Sequence, residues 1–266
     1  SFAVKTETGW KAGIAKVRIT PGTGLWMAGY ASRTGPATGK IHDLWAHALF
    51  LEDSTGNQAL MITADLVGFP KKISDTIRSR IQKELGLERS EIILNSTHTH
   101  SGPVLREALS DIYPMDSLQP VRIETYSRML EESIMELAKN ARQKLKPASL
   151  HTGMGVVRFQ VNRRNNRENQ MDEITSLKGP NDFSVPVIRV STGNGKPMAV
   201  VFGYACHPTV LNGLLWSGDY PGYARLELEK KYKGITAMFF QGAGGDLNPI
   251  PRRENARYLA PTRQYR

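Results

Sequence analysis

The sequence predicts an α/β domain in which mixed β-sheets are layered with α-helices, and three observations predict it. Short runs rich in β-branched and aromatic residues alternate with longer runs whose apolar residues recur every three or four positions. Clusters of Gly, Pro, Asn, Asp and Ser separate the two kinds of run. Three apolar runs end directly in Asp65, His98 and His207, as sheet strands do when they deliver polar groups to a cleft.

Trp45 to Glu52 and Ala59 to Asp65 read as two strands joined by a turn at Ser54-Thr55-Gly56-Asn57. Pro70 opens a helix whose face is Ile73, Ile77, Ile81 and Leu85, and Gly86 ends it. Glu91 to Asn95 is a short apolar strand. A long helix spans about 122–145, with Ile123, Tyr126, Leu130, Ile134, Leu137, Ala141 and Leu145 on one face, and Pro147 stops it. The stretch of about 150–180 reads as a long surface loop: Phe159-Gln160-Val161 is extended, and Asn162 to Asp172 is polar and basic. Strands resume at Pro186 to Val190 and Met198 to Ala205, followed by a helix at about 221–232. Ile235 to Phe240 is the last buried strand and empties into Gln241-Gly242-Ala243-Gly244-Gly245-Asp246. No internal repeat interrupts this order, so 1–266 reads as one domain.

Composition narrows the class. The chain is long enough to bury a sizeable core, and no run of roughly 18 apolar residues suits a transmembrane helix. The lone Cys206 rules out an intrachain disulfide. The net charge of +10 is spread along the chain, densest at Arg163, Arg164 and Arg167 and again at Arg252, Arg253, Arg257, Arg263 and Arg266. Such a surface is either simply a solvated basic one or suited to an acidic substrate or an anionic membrane. Nucleic acid is not an expected partner, because helix-turn-helix, zinc-finger and aromatic RNA-binding patterns are all missing. Ser1-Phe2-Ala3-Val4-Lys5 has neither an initiator Met nor an apolar signal core. It reads as a processed start, and an extracytoplasmic location with the signal peptide removed is expected.

The chemistry concentrates at strand ends. His98 and His100 are two residues apart, and on an extended segment such residues face one side. Neutral imidazoles are good zinc ligands, and zinc brings a bound water to a pKa of about 7; the alternative is that one or both histidines only hydrogen-bond the loop. His207, at the end of an apolar strand, is either a further ligand or a hydrogen-bonded core residue. His42 could enter the same cleft, whereas His47 and His151 read as surface or packing residues. The glycine run ending in Gly244 and Gly245 is either a tight turn or a source of backbone N–H groups for an oxyanion. Asp246 could ligate metal, orient a histidine or bind the turn's own backbone.

Together these motifs resemble the neutral/alkaline ceramidase family. Asn95-Ser96-Thr97-His98-Thr99-His100-Ser101-Gly102-Pro103 is similar to its Thr-His-Thr-His-Ser-Gly-Pro signature. Gly13-Ile14-Ala15-Lys16-Val17-Arg18-Ile19-Thr20-Pro21 resembles its first strand, and Met27-Ala28-Gly29-Tyr30, the Gly39 to Asp43 segment and Ala64-Asp65 follow in order. Val161-Asn162-Arg163-Arg164 resembles its Asn-Arg-Ser loop, and Ala205-Cys206-His207 resembles the segment of its second metal histidine. Gly245-Asp246-Leu247-Asn248-Pro249 resembles its Gly-Asp-Val-Ser-Pro segment.

The resemblance implies a ceramidase-like catalytic fold and a Zn²⁺ ion on His98 and His207, whose water attacks the amide of an N-acyl sphingoid lipid. It implies that His100 and Arg163 line the site and hold the carbonyl or its oxyanion. The family's remaining Glu and Tyr ligands lie beyond residue 266, so the chain is expected to be truncated relative to the family. Asp65 and Asp246 are the candidates within it, Asp65 assigned to catalysis and Asp246 to the metal. Gly244, Gly245, Asn248 and His42 are assigned to substrate or oxyanion. Asn248 replaces the family's Ser and cannot act as its nucleophile, which favours a metal-water route. Two further readings stay open: a metal-dependent amidase or esterase acting on another substrate, and a degenerate relative that binds lipid or glycan.

Overall fold

The computed structural model describes residues 5–108, 110–166, 177–250 and 252. In chain order the elements are β1 (Lys5–Arg18), β2 (Gly39–Lys40), β3 (Trp45–Glu52), β4 (Gln58–Ala64), α1 (Lys71–Leu85) and β5 (Ile92–Ser96). Next come α2 (Gln119–Gln143), β6 (Lys146–Val156), β7 (Gln160–Asn162), β8 (Ser184–Thr192) and β9 (Pro197–Tyr204). The last are β10 (Leu215–Trp216), α3 (Asp219–Lys231), β11 (Thr236–Gln241) and β12 (Leu247–Pro249). The predicted α/β class holds: eight strands form one mixed sheet in the order β11-β9-β8-β6-β1-β3-β4-β5.

The sheet is antiparallel except at its two margins. There β4 pairs with β5 and β9 with β11 in parallel, because α1 and α3 carry the chain back between them. β3 is buried on both faces. Ala48 and Phe50 meet the helices α1 and α2 through Ile73, Ile77, Ile81, Leu130 and Ile134. Leu49 and Leu51 meet a second cluster with Leu150, Val190, Val201 and Met238. Each of the four α1 side chains Ile73, Ile77, Ile81 and Leu85 is buried, a stabilisation of about 1.5–3 kcal/mol apiece. Gly86 ends α1 in the left-handed conformation its lack of Cβ permits.

Two expectations change. The stretch placed in a surface loop contains most of β6, which runs between β1 and β8 in the middle of the sheet. Its glycines, Gly153 and Gly155, and its exposed alternate positions hide the strand pattern. Pro147 is not the helix stop: α2 closes at Gln143, and Pro147 already pairs with Lys11 in the sheet. Residues 167–176 of the expected loop lie outside the described residues. Among the described residues, no helix is long and apolar enough to cross a membrane.

The sheet coils until the ends of its opposite margins meet. Asn95, near the end of β5, donates through Nδ2 to the Gln241 carbonyl at 3.2 Å and accepts from the Gln241 N–H at 3.0 Å. One side-chain amide thus imitates a strand neighbour for β11. Thr63 on β4 adds a hydrogen bond to the Phe239 carbonyl at 2.8 Å. Asn95→Ala should cost about 1–3 kcal/mol, because it leaves two main-chain groups of Gln241 unpartnered. Urea unfolding of the two chains measures this, and an unchanged midpoint would show that the margins hold without Asn95.

Candidate metal centre

The meeting of the margins places the segment after β5 against those after β9 and β11. His98, two residues past β5, has a left-handed φ of +63°, uncommon outside glycine and concentrated at functional sites. His98 and His100 do face one side, but through this kink rather than through the alternation of an extended strand. His207 joins them from the segment after β9. The ring centroids lie 4.7 Å (His98–His207), 5.0 Å (His98–His100) and 5.5 Å (His100–His207) apart. One ring nitrogen from each of the three falls within 4.8 Å of the others, so the group could hold a metal ion.

Main-chain carbonyls fix how two of the rings present themselves. His98 Nδ1 lies 2.6 Å from the Val67 carbonyl, and His207 Nδ1 lies 2.7 Å from the Gly244 carbonyl. A carbonyl oxygen only accepts, so both Nδ1 atoms carry the proton and both Nε2 lone pairs remain for a ligand. His98 Nε2 and His100 Nε2 are 3.3 Å apart. Two nitrogens, each about 2.0–2.1 Å from a tetrahedral ion, stand about 3.3 Å apart. Gly29 makes room for the His100 ring: at φ +101°, a Cβ there would sit 2.5 Å from the imidazole Cγ. The Tyr30 ring packs 5.0 Å from the same imidazole.

Electrostatics keep two of these rings neutral. Burial, then the neighbouring His98 and His207, push the His100 pKa down to about 2. Burial, then His98, lowers that of His207 to about 4, with Arg163 and Arg252 adding to the shift. Behind His100, the buried Arg33 donates to the His100 carbonyl at 2.7 Å and packs over Tyr30. Burial lowers its pKa only to about 10, so it remains a cation.

Among the described residues, none of the other expected histidine or carboxylate groups joins the three nitrogens. Asp65 is fully buried; its carboxylate accepts from Arg225 at 2.6 Å, the Trp45 N–H at 2.9 Å and the Thr97 hydroxyl at 3.2 Å. It therefore anchors the residue next to His98. Asp246 stands outside the group of ligand atoms, its carboxylate bonded by Asn162 at 2.9 Å and its carbonyl by the Arg163 N–H at 2.8 Å. His42 lies against the start of α3, where its Nε2 accepts from the Gly218 N–H at 2.8 Å. The Gly244 N–H already donates within the turn to Gly242, so it is the Gly244 carbonyl that serves the site. Around Gly245 a Cβ would meet open space. Asn248 is buried in β12 opposite Val161, and Arg163 follows β7 directly. His47 is a packing residue, as expected, with its Nδ1 3.1 Å from Arg225.

Several contributors escaped sequence reasoning. Val67 acts through its carbonyl and Gly29 through a missing side chain, so their residue types carry no signal of ligand orientation, and Gly244 was expected for its N–H but serves through its carbonyl. Asp219 begins α3 at a φ of +54° and accepts the N–H groups of Val210, Leu211 and Tyr220, holding the loop after His207. An Asp opening a helix after a Ser-Gly pair was the available signal.

A sequence profile described as neutral/alkaline non-lysosomal ceramidase, N-terminal, matches residues 10–251. Neutral ceramidase A of Dictyostelium discoideum is 27% identical over 94% of this chain and 37% of its own length. Neutral ceramidase of Pseudomonas aeruginosa is 25% identical over 90% of this chain and 37% of its own length. The crystal structure of the neutral ceramidase from Pseudomonas aeruginosa superposes with a TM-score of 0.76 at 23% identity, covering 91% of this chain and 40% of that one, a likeness of fold. The chain thus spans about a third of the length of these relatives. The profile covers most of the sequence, and the chain belongs to the neutral/alkaline non-lysosomal ceramidase family, within its N-terminal region.

Proposed function

We propose that the three imidazoles bind zinc and form the centre of a hydrolase that cleaves the amide bond of an N-acyl lipid of the ceramide type. The observation that supports this best is the 3.3 Å spacing of two Nε2 atoms beside a third imidazole, two of the rings being aimed by carbonyl acceptors. Three protein ligands with an open position are the ordinary plan of a catalytic zinc. Bound there, zinc would supply Lewis acidity and a water acidified to a pKa of about 7.

The chain's own residues do the rest. Val67 and Gly244 lock the two ring tautomers. Arg163 and the buried Arg33 give the surroundings a positive bias, which favours negative charge developing on an amide oxygen. Gly29 and Tyr30 enclose His100 and restrict the rotation of its ring. Asp65 secures the His98 segment from below. The names of the relatives supply the substrate class, an amide of a sphingoid base.

Elemental analysis should find stoichiometric zinc, and fatty acid release from an N-acyl sphingoid amide should stop on chelation. His98→Ala combined with His207→Ala should abolish both while leaving the circular dichroism unchanged. A chain that stays metal-free in excess zinc would remove this reading. The metal-free chain should also weaken in acid. His42 and His207 have folded pKa values of about 4, against 6.5 unperturbed, and burial holds His47 well below 6.5 as well. Folded values below the unfolded ones mean that stability is full above about pH 6.5 and is lost as pH falls towards 4. The slope is about 1.4 kcal/mol per pH unit for each proton taken up on unfolding. Melting temperatures of the metal-free chain between pH 7.5 and 4.5, each about one pH unit apart, test this; a flat profile contradicts it.

A further inference from the structure

The chain between β1 and β3 forms a wedge between the two loops that carry the imidazoles. On one side it follows the His98 loop. The Ala28 N–H donates to the Gly102 carbonyl at 2.9 Å, and the Val104 N–H donates to the Trp26 carbonyl at 2.9 Å. On the other side it follows the loop after His207. The Tyr30 hydroxyl donates to the Leu211 carbonyl at 3.0 Å, the Thr38 N–H donates to the Leu214 carbonyl at 2.8 Å, and β2 pairs with β10.

Arg33 lies buried within this wedge, and its guanidinium reaches all three segments. Nη1 donates to the Ala28 carbonyl, and Nη2 donates to the His100 carbonyl at 2.7 Å and to the Gly213 carbonyl at 3.3 Å. These acceptors are main-chain oxygens rather than carboxylates, so the cation is held by backbone dipoles. A buried charge is costly unless it is well hydrogen-bonded, and a planar fork can hold several oxygens where a compact ammonium holds fewer.

The fork bears directly on His100. The His100 N–H donates to the Pro208 carbonyl at 3.3 Å, and its own carbonyl accepts from Arg33. Both ends of the residue are therefore fixed to neighbouring segments, which sets the direction of its side chain. The rings of His98 and His207 are aimed by carbonyls at Nδ1, whereas that of His100 takes its bearing from its main chain and from packing on Gly29 and Tyr30.

We propose that Arg33 is a positioning residue for the metal centre, its fork holding His100 in register with His98 and His207 as the third ligand. The ion itself rests on the proposed function; the placement of the ring is tested without metal.

Nuclear Overhauser contacts between imidazole ring protons of the metal-free full chain give that test. The unmodified chain, with ring centroids 4.7, 5.0 and 5.5 Å apart, should show contacts among all three rings. Arg33→Met should lose the two contacts of His100 and keep the one between His98 and His207. Arg33→Lys, which keeps the charge but not the fork, should weaken the same two, and it decides the matter if Arg33→Met does not fold. Unchanged His100 contacts overturn the proposal. So does loss of all three, which would make Arg33 a general support of the fold. With zinc added, affinity measured against a chelating dye should fall about tenfold in either variant. It should fall no further when the same change is made in a His100→Ala chain, because both substitutions remove one ligand. A further fall in that background also overturns the proposal. If the unmodified chain takes up no zinc, the proposed function fails, while the ring contacts still decide the role of Arg33.

Discussion

The centre depends on the closure between β5 and β11. By hydrogen-bond order these strands are as far apart as the sheet allows, yet Asn95 joins them with a donor and an acceptor from one side chain. Without that closure the His98 segment and the His207 segment belong to opposite margins. The two parallel pairs matter for the same reason: β4–α1–β5 and β9–α3–β11 each discharge the chain at a strand's carboxyl end, where α/β sheets collect their ligands. Coiling then sets the two discharge points face to face.

Beneath the imidazoles lies a buried polar layer with a different task. Asp65 and Arg225 form an ion pair with side chains almost fully excluded from solvent. It survives there because further donors and acceptors surround it: Trp45 and Thr97 on the carboxylate, His47 on the guanidinium. The pair couples α3 to the end of β4 and to the His98 loop. Thr99, held by the Ser217 carbonyl at 2.7 Å, repeats the coupling one residue from each of the other two motif positions, His98 and His100. Precision at the surface of the cleft is thus supplied by charge chemistry below it.

Much of this was legible in the sequence, and the limits are physical. The helical faces of α1 and α2, the strands β3, β4, β9 and β11 and the convergence of His98, His100 and His207 follow from periodicity and from where apolar runs end. β6 was not legible, since glycines and exposed alternate residues blur its pattern while its pairing partners lie far away in sequence. Asp65 and Asp246 look like site groups by type. Only tertiary contacts reveal that the first anchors Thr97 and the second shapes the turn before Arg163. The reach of Arg33 to carbonyls on both histidine loops is invisible in the same way.

The Gly244 carbonyl receives both the His207 imidazole and the Leu247 N–H. The turn's shape and the bearing of that ring are consequently one degree of freedom. A cation gripped by His98 and His207 would act as a cross-link between remote stretches of chain, much as a disulfide does, and would stiffen the glycine turn through this shared oxygen. Loss of such a cation would loosen the turn and the sheet margins as a unit rather than one loop at a time.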